Sequence, residues 1–196
     1  GSWLFLGVLL VDTQLDDDEP TPTDHCGSCR RCLDACPTQA FDAPYQLDAT
    51  RCISYLTIEH RSTIPESLAD RMGNWVYGCD VCQEVCPWND LHARRSRGGE
   101  PLFQPRPGND PVPLADILRL TEEEFASRFE GSSIQRADRE RLVRNGIIAA
   151  VNSAATELLP LIEPLAQDVS PVVAATARWA LERWREDRPT GPGRTE

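Results

Sequence analysis

Eight cysteines between residues 26 and 86 constrain the fold of this 196-residue chain more than any other feature. Four of them form a C-x2-C-x2-C-x3-C-P run. The chain half-repeats this run as C-x2-C-x3-C-P, preceded by one distant cysteine. The first group is Cys26, Cys29, Cys32 and Cys36, and the second is Cys52, Cys79, Cys82 and Cys86. Thiols at such short spacing predict tight loops that wrap a bound metal centre.

The first run is typical of bacterial iron–sulfur proteins, in which the fourth cysteine serves the other cluster of a two-cluster site. Three thiolates wrap one face of a cubane from a single loop, and the next helical turn points the fourth thiolate away. This crossover rule predicts two [4Fe–4S] clusters. The first takes Cys26, Cys29, Cys32 and Cys86, and the second takes Cys36, Cys52, Cys79 and Cys82.

Two other uses of the cysteines remain open at this point. Two zinc sites would also use C-x2-C pairs, although zinc sites rarely place three cysteines in seven residues ahead of C-P. A disulfide framework would need bridges between neighbouring C-x2-C cysteines, which make poor structural links. No export signal is visible, which favours reduced, metal-binding thiols and a cytoplasmic protein.

The charge balance limits the partners of the chain. Its formal net charge is −11, and all 20 basic residues are arginine. An acidic chain repels nucleic acid on average, so a nucleic-acid contact would require a local arginine patch.

Composition divides the chain into five parts. Residues 1–25 hold the apolar run Trp3–Val11, which is too short to cross a bilayer and is typical of a buried strand, followed by an acidic linker. The cysteine-rich domain covers residues 26–90. A Pro- and Gly-rich connector at 91–113 leads to helices at 114–188 and a disordered tail at 189–196. We therefore expect a mostly α fold of the α+β class, with a ferredoxin-like double [4Fe–4S] module.

The helical part carries two clear signals. Thr121 and Glu124 have the spacing of a capping box, and Leu142, Val143 and Ile147 mark one helical stripe. Short helices of similar length, with a break between Asp168 and Pro171, predict a HEAT-like repeat; a plain helical bundle is the alternative.

Two low-potential clusters pass electrons singly, which leaves two functional classes. One is a stand-alone ferredoxin-like carrier, and the other is the electron-feeding part of a larger reductase. About 100 further residues follow the cysteines, and the first strand needs a sheet to join, so the second class is favoured.

Five segments in order resemble the epoxyqueuosine reductase family, which modifies tRNA. They are GSWLFLG, CGSCRRCLDACPTQAF, LDATRCISYLTIEHRSTIPE, GNWVYGCDVCQEVCPWN and GSSIQRADRERLVRN, and the match spans roughly residues 1–180. It includes the unusual Cys52 and its long spacing to Cys79. Reductive dehalogenases, which share a layout of cobalamin and two clusters, are the nearest rival family.

The resemblance implies a function and a set of sites. The family reduces epoxyqueuosine to queuosine at the tRNA wobble position, with cobalamin performing the chemistry and two clusters supplying electrons. Ser54, Asp80 and Val81 would face the corrin; alternatively, Ser54 and Asp80 only hydrogen-bond to the cluster loops. Four arginines would contact tRNA unless they lie on a solvated helix face, and they are Arg136, Arg139, Arg141 and Arg144.

The resemblance also implies what the chain lacks. The catalytic general acid and most of the cobalamin pocket are expected in an N-terminal domain of which only residues 1–11 remain, so no catalytic residue is assigned. We expect a monomeric C-terminal fragment, inactive alone, with no membrane contact. A flavodoxin or ferredoxin would be the electron donor.

Overall fold

The computed structural model describes residues 6–20, 23–89, 104, 106, 108–109 and 111–186. The expected C-terminal tail and most of the expected connector lie outside the described residues. No helix in the described ranges is long and apolar enough to span a membrane.

The expected N-terminal strand is not observed. Residues 1–5 lie outside the described ranges, and residues 6–11 form no strand. Their apolar side chains are exposed, with Leu6 at 97% and Leu10 at 90% of full accessibility. A strand requires a neighbouring edge to pair its backbone groups, and the described part of the chain pairs none with this segment. The run is apolar, as the sequence shows, but residues 6–11 do not pair as the predicted strand.

The cysteine-rich part consists of short elements joined by turns. Helix α1 covers Arg31–Ala35, and strand β1 (Phe41–Ala43) pairs antiparallel with β2 (Gln46–Leu47). A 3-10 turn at Ala49–Arg51 precedes helix α2 (Ile53–Ile58). Helices α3 (Glu66–Ala69) and α4 (Val81–Glu84) complete this part, and α4 packs against α1.

Five helices form the second part of the fold. They are α5 (Leu114–Leu118), α6 (Glu122–Arg128), α7 (Asp138–Asn152), α8 (Leu159–Ile162) and α9 (Pro171–Glu186). The expected capping box is present at the start of α6, where Thr121 Oγ1 accepts from Glu124 N–H and the Glu124 carboxylate accepts from Thr121 N–H. Helices α7 and α9 pack together along their length. The mostly helical fold is thus confirmed, while the HEAT-like repeat stays a prediction.

Two apolar clusters hold the fold together. The larger one lies inside the helical part, where Leu142, Val143 and Ile147 of α7 pack with Val173 and Ala177 of α9. The smaller one joins the two parts, because Ile148 of α7 is buried with Ile53, Leu56 and Met72 of the cysteine-rich part. Helix α7 therefore belongs to both cores and fixes the cysteine-rich part against the helices.

Candidate iron–sulfur site

The two cysteine runs adopt the same local fold fifty residues apart. Arg30 precedes α1 with φ −124° and ψ 10°, and Asp80 precedes α4 with φ −113° and ψ 10°. Each carbonyl accepts from the residue four positions on, at 3.0 and 2.9 Å. After each helix, the Cys36 and Cys86 carbonyls accept from the N–H three residues on, at 3.1 and 3.0 Å. The structure therefore presents the sulfur-bearing turn twice, on packed helices.

Three of the four predicted ligands of the first set line a cavity of about 250 Å³. Cys26, Cys29 and Cys32 line it, together with apolar walls from Leu33 and Phe41. Cys82 also lines this cavity, although the crossover rule assigns it to the second set. The two sets therefore lie side by side.

The ends of the two runs also meet. The His25 ring, next to Cys26, contacts the Trp88 ring edge-on with the centroids 5.5 Å apart. Trp88 lies two residues after the buried Cys86. This contact brings the start of the first run next to the end of the second run.

Mutual repulsion links the thiols of the second set. Burial raises the pKa of the Cys79 thiol, and charge on Cys52 and Cys36 raises that pKa further. Burial likewise raises the pKa of Cys82, with added repulsion from Cys79 and Cys52 and from Cys32 of the first set. Cys36 and Cys52, which are distant from Cys79 in sequence, thus lie close enough to it to affect its pKa.

Hydrogen bonding to sulfur is visible at Cys36. The Ala40 N–H donates to Cys36 Sγ at 3.3 Å, and Thr38 Oγ1 lies 3.7 Å from the same sulfur. Such bonds stabilise thiolate charge and tune the potential of an iron–sulfur cluster. The donor set therefore suits a cluster ligand.

All eight cysteines lie in the described range 23–89, and none of them forms a disulfide. Within the described residues, no three His, Cys, Asp or Glu side chains converge on a single metal ion. A cubane spreads its four thiolates over four corners and does not require them to converge on one point. The fit to cubane clusters rests on cysteines of both runs that lie close together, around the cavity and next to Cys79.

The residues expected to face a corrin lie beside the second set. Asp80 is exposed at the start of α4, Val81 is half-buried, and Ser54 is half-buried on α2. The Thr57 hydroxyl lies 3.3 Å from the Ser54 carbonyl and 3.0 Å from the Gly78 nitrogen. The structure therefore brings the segment around Ser54 close to the segment that leads to Asp80.

The four arginines expected to contact tRNA do not share an exposed surface. Arg139 pairs with Asp168 through two bonds and donates to the Leu120 carbonyl. Arg141 bonds the Ala137 carbonyl and the Asp138 carboxylate. Arg144 is fully buried. Only Arg136 projects into solvent, with 71% of its side chain exposed, and it pairs with Glu59.

This placement corrects the expected arginine face, and the reason is burial. Helix α7 is enclosed by both parts of the molecule, so its arginines satisfy buried carbonyls and carboxylates instead of facing solvent. The spacing of charges along a helix does not show which of its faces are buried.

A buried polar network that the sequence did not predict lies beside the second set. Arg144 donates to the carbonyls of Leu56, His60 and Ser62 at 2.5 to 2.7 Å, near the end of α2. Asn145 Nδ2 donates to the carbonyls of Thr57 and Val76 at 2.9 and 2.8 Å. The available signal was a polar pair set between the apolar residues Val143 and Ile147.

The fold and the paired thiol sets define the class of the protein. Residues 25–89 match the family described as 4Fe-4S double cluster binding domain. This places the cysteine-rich part among the iron–sulfur modules that hold two clusters.

The relatives are more specific. The chain is 47% identical over 189 residues to the epoxyqueuosine reductase of Pseudomonas aeruginosa, covering 95% of this chain and 51% of that protein. It is 44% identical over 182 residues to that of Xanthomonas campestris, covering 92% of this chain and 50% of the relative. These matches confirm the resemblance to the epoxyqueuosine reductases. The chain spans about half the length of the curated relatives it matches.

Solved structures agree. The epoxyqueuosine reductase of Bacillus subtilis has a TM-score of 0.76 and 36% identity, over 86% of this chain and 44% of that one. That of Streptococcus thermophilus has a TM-score of 0.72 and 29% identity, over 90% and 46%. A further structure contains an epoxyqueuosine reductase with a tRNA-Tyr epoxyqueuosine-modified tRNA stem loop, also at a TM-score of 0.76 and 36% identity, over 86% and 44%.

Proposed function

We propose that this chain is the iron–sulfur portion of an epoxyqueuosine reductase. Its two clusters supply the electrons that reduce epoxyqueuosine to queuosine in tRNA. The observation that supports this best is that cysteines of both runs lie close together in a chain that matches these reductases over nearly all of its length. Removing the epoxide oxygen as water consumes two electrons and two protons, so a site that delivers electrons one at a time suits the reaction.

The cysteines of this chain hold the clusters. Cys26, Cys29, Cys32 and Cys86 are the proposed ligands of cluster one, and Cys36, Cys52, Cys79 and Cys82 those of cluster two. The contact between His25 and Trp88 supports the first set, and the repulsion of Cys79 by Cys52 and Cys36 supports the second. A bound [4Fe–4S] cluster supplies single-electron transfer.

Cobalamin is the second cofactor of the proposal. When bound, it supplies the reductive chemistry at the epoxide. Ser54, Asp80 and Val81 are the residues of this chain proposed to face it, supported by their position beside cluster two and by the exposure of Asp80. The general acid is not assigned to this chain.

The proposed macromolecular partner is tRNA that carries epoxyqueuosine. The similarity to a reductase whose structure contains such a stem loop supports this partner. Within the predicted arginine set only Arg136 has the exposure that direct contact requires, and Arg139, Arg141 and Arg144 act inside the protein. A flavodoxin or ferredoxin donor, a cytoplasmic location and a monomeric state remain parts of the proposal.

The activity is tested by joining this chain to the part of the Pseudomonas aeruginosa relative that lies outside the match. Incubated anaerobically with cobalamin, a reductant and epoxyqueuosine-bearing tRNA, the joined protein should produce queuosine, measured by mass spectrometry of digested tRNA. The same protein with Cys52→Ser should lose most of the product. Absence of product from a joined protein that holds both clusters and cobalamin would overturn the proposal.

The cluster assignment has its own test. Two cubanes hold about eight iron atoms. Cys36→Ser should remove cluster two and half of this iron, because Cys36 is the proposed ligand that the first run contributes to cluster two. Cys86→Ser should instead remove cluster one. Iron and acid-labile sulfide, with the electron paramagnetic resonance of the reduced protein, distinguish the two. Loss of cluster one in Cys36→Ser would reverse the assignment.

A further inference from the structure

Thr57 lies between the two parts of the chain that supply the distant ligands of cluster two. Its side chain is fully buried, in the last turn of α2. Thr57 Oγ1 donates to the Ile53 carbonyl at 2.8 Å and accepts from the Gly78 N–H at 3.0 Å. Ile53 directly follows Cys52, and Gly78 directly precedes Cys79. One hydroxyl therefore joins the neighbours of two ligands that are 27 positions apart.

The backbone of Thr57 is held from the opposite side. The Asn145 amide donates both to the Thr57 carbonyl and to the Val76 carbonyl, so it binds the same two segments a second time. The Asn145 Oδ1 atom accepts from Arg144, whose remaining donors bond carbonyls after α2. The Arg144 and Asn145 side chains are both fully buried. The hydroxyl of Thr57 is thus part of a fixed frame rather than a mobile surface group.

The geometry at Gly78 shows why this bond matters for a ligand. Gly78 has φ +71°, a conformation that most residues avoid, and Cys79 is the next residue. Its N–H is part-buried and is satisfied by the Thr57 hydroxyl. Without that acceptor the buried donor would lose its partner, and the turn that aims Cys79 would be free to relax.

We infer that Thr57 is a positioning residue for cluster two, which sets the separation of Cys52 and Cys79 through its hydroxyl. The inference rests on the proposed two-cluster site. Thr57 touches neither the cluster nor the substrate in this role. It acts through the backbone on either side of the ligands.

The test replaces the hydroxyl without changing the shape of the side chain. Thr57→Val removes the acceptor for Gly78 N–H, and Thr57→Ser retains it. Thr176 provides a matched control, because it is also buried and its Oγ1 also donates to a carbonyl four residues back, at 2.8 Å. Its hydroxyl bonds within α9 itself, to the Val172 carbonyl.

Iron, labile sulfide and the midpoint potential of each cluster are measured in the full chain after anaerobic purification. In Thr57→Val, cluster two should be lost, with iron falling by roughly half, or should show a shifted potential and altered paramagnetic signal. Thr57→Ser and Thr176→Val should match wild type. Cys52→Ser serves as the spectroscopic reference for loss of cluster two.

The outcomes separate this inference from the proposed function. Wild-type protein without two cubane clusters would overturn the proposed function itself. If wild type holds both clusters and Thr57→Val has the same iron content and the same cluster potentials, the inference about Thr57 is wrong and the proposed function stands. If Thr57→Val does not fold, the inference is tested in the wild-type protein by hydrogen–deuterium exchange of the peptide that contains Gly78. Protection of the Gly78 amide supports the inference, and rapid exchange contradicts it.

Discussion

Arg144 keeps a full positive charge inside the protein by bonding backbone carbonyls. Burial, with a smaller effect of the neighbouring Arg141 charge, lowers the pKa of Arg144 to about 10, so the guanidinium is still charged at neutral pH. The Leu56 carbonyl lies near the C-terminal end of α2, where the negative end of the helix dipole favours a cation, and the His60 and Ser62 carbonyls follow the helix. At the residue scale, this arginine stabilises the fold rather than recognising a ligand.

Arg144→Met should therefore destabilise the protein strongly. It removes the donors for three buried carbonyls, and we expect a loss of about 3 kcal/mol or more in the free energy of unfolding. Arg136→Met is the control, because the exposed Arg136 pairs only with Glu59 and should change stability little. Urea unfolding followed by circular dichroism measures both variants. Equal losses would contradict the structural role of Arg144.

Helices α5 and α7 approach each other closely at Gly146. A Cβ placed on Gly146 would lie 2.9 Å from Ile117 Cγ2, a distance that real contacts do not reach. Glycine at this position lets the two helices approach closely. At the element scale, a missing side chain sets the spacing of α5 and α7.

Gly146→Ala should push α5 away from α7. The overpacking should cost about 1–3 kcal/mol, partly offset by about 1 kcal/mol from the better helix propensity of alanine. Combining Gly146→Ala with Ile117→Ala should relieve the clash, so the double-mutant cycle should show a favourable coupling. Additive losses in thermal unfolding would mean that the helices are not in close contact.

The start of α9 is tied to α7 by an ion pair. Arg139 and Asp168 are both nearly buried, with 2.7 Å between Arg139 Nη2 and Asp168 Oδ2. Burial raises the pKa of Asp168, but hydrogen bonds from Arg139 and the Ser170 N–H outweigh it and hold the pKa below its ordinary value.

Stability should consequently fall as the pH drops through the carboxyl range. A lowered folded-state pKa contributes stability above the ordinary carboxyl pKa, near 3.9, and this contribution is lost as the pH falls towards the pKa of the folded state. Asp168→Asn should lack this component and lose about 3 kcal/mol at neutral pH. Asp116→Asn, in an exposed pair 3.8 Å from Arg128, is the control. Thermal unfolding between pH 3 and 7 compares the three proteins, and an unchanged pH profile in Asp168→Asn would contradict the role of the pair.

The two parts of the molecule share helix α7 and should unfold together. Ile148 packs into the cysteine-rich core, and Asn152 donates to the Ala69 and Gly73 carbonyls at 2.8 and 2.9 Å. From α9, Arg183 pairs with Glu66 and Asp70. At the scale of the whole molecule, the helical part is a support for the cluster loops.

Thermal unfolding should therefore show one transition in the cluster-loaded chain. The helical circular dichroism and the visible cluster absorbance should be lost at the same temperature, because buried donors on α7 depend on carbonyls between residues 56 and 76. The variant combining Arg144→Met with Asn145→Leu should separate the two signals. Two transitions in wild type would show that the parts are energetically independent.

Short sequence spacings predicted most of the metal-binding residues. Seven of the eight candidate ligands, and the capping box of Thr121 with Glu124, follow from spacings of a few residues, which local backbone geometry converts directly into side-chain direction. Cys52, distant from both runs, completes the count of eight thiols for two clusters. The same reasoning assigned an exposed role to Arg139, Arg141 and Arg144, because charge spacing along one helix does not show what packs against it. It also predicted a strand over residues 1–11, of which residues 6–11 form none, since an apolar run does not carry its own pairing edge.

The sequence by itself determined which atoms are available to bind clusters and, through its ordered motifs, which proteins the chain resembles. Only the tertiary structure decided which distant segments meet: α1 with α4, the Cys52 segment with the Cys79 segment through Thr57, and α7 with both cores. The physical reason is that a hydrogen bond or a buried charge depends on partners many residues away. Those partners are chosen by the packing of the whole chain, whereas the spacing of a metal-binding loop is fixed within a single turn.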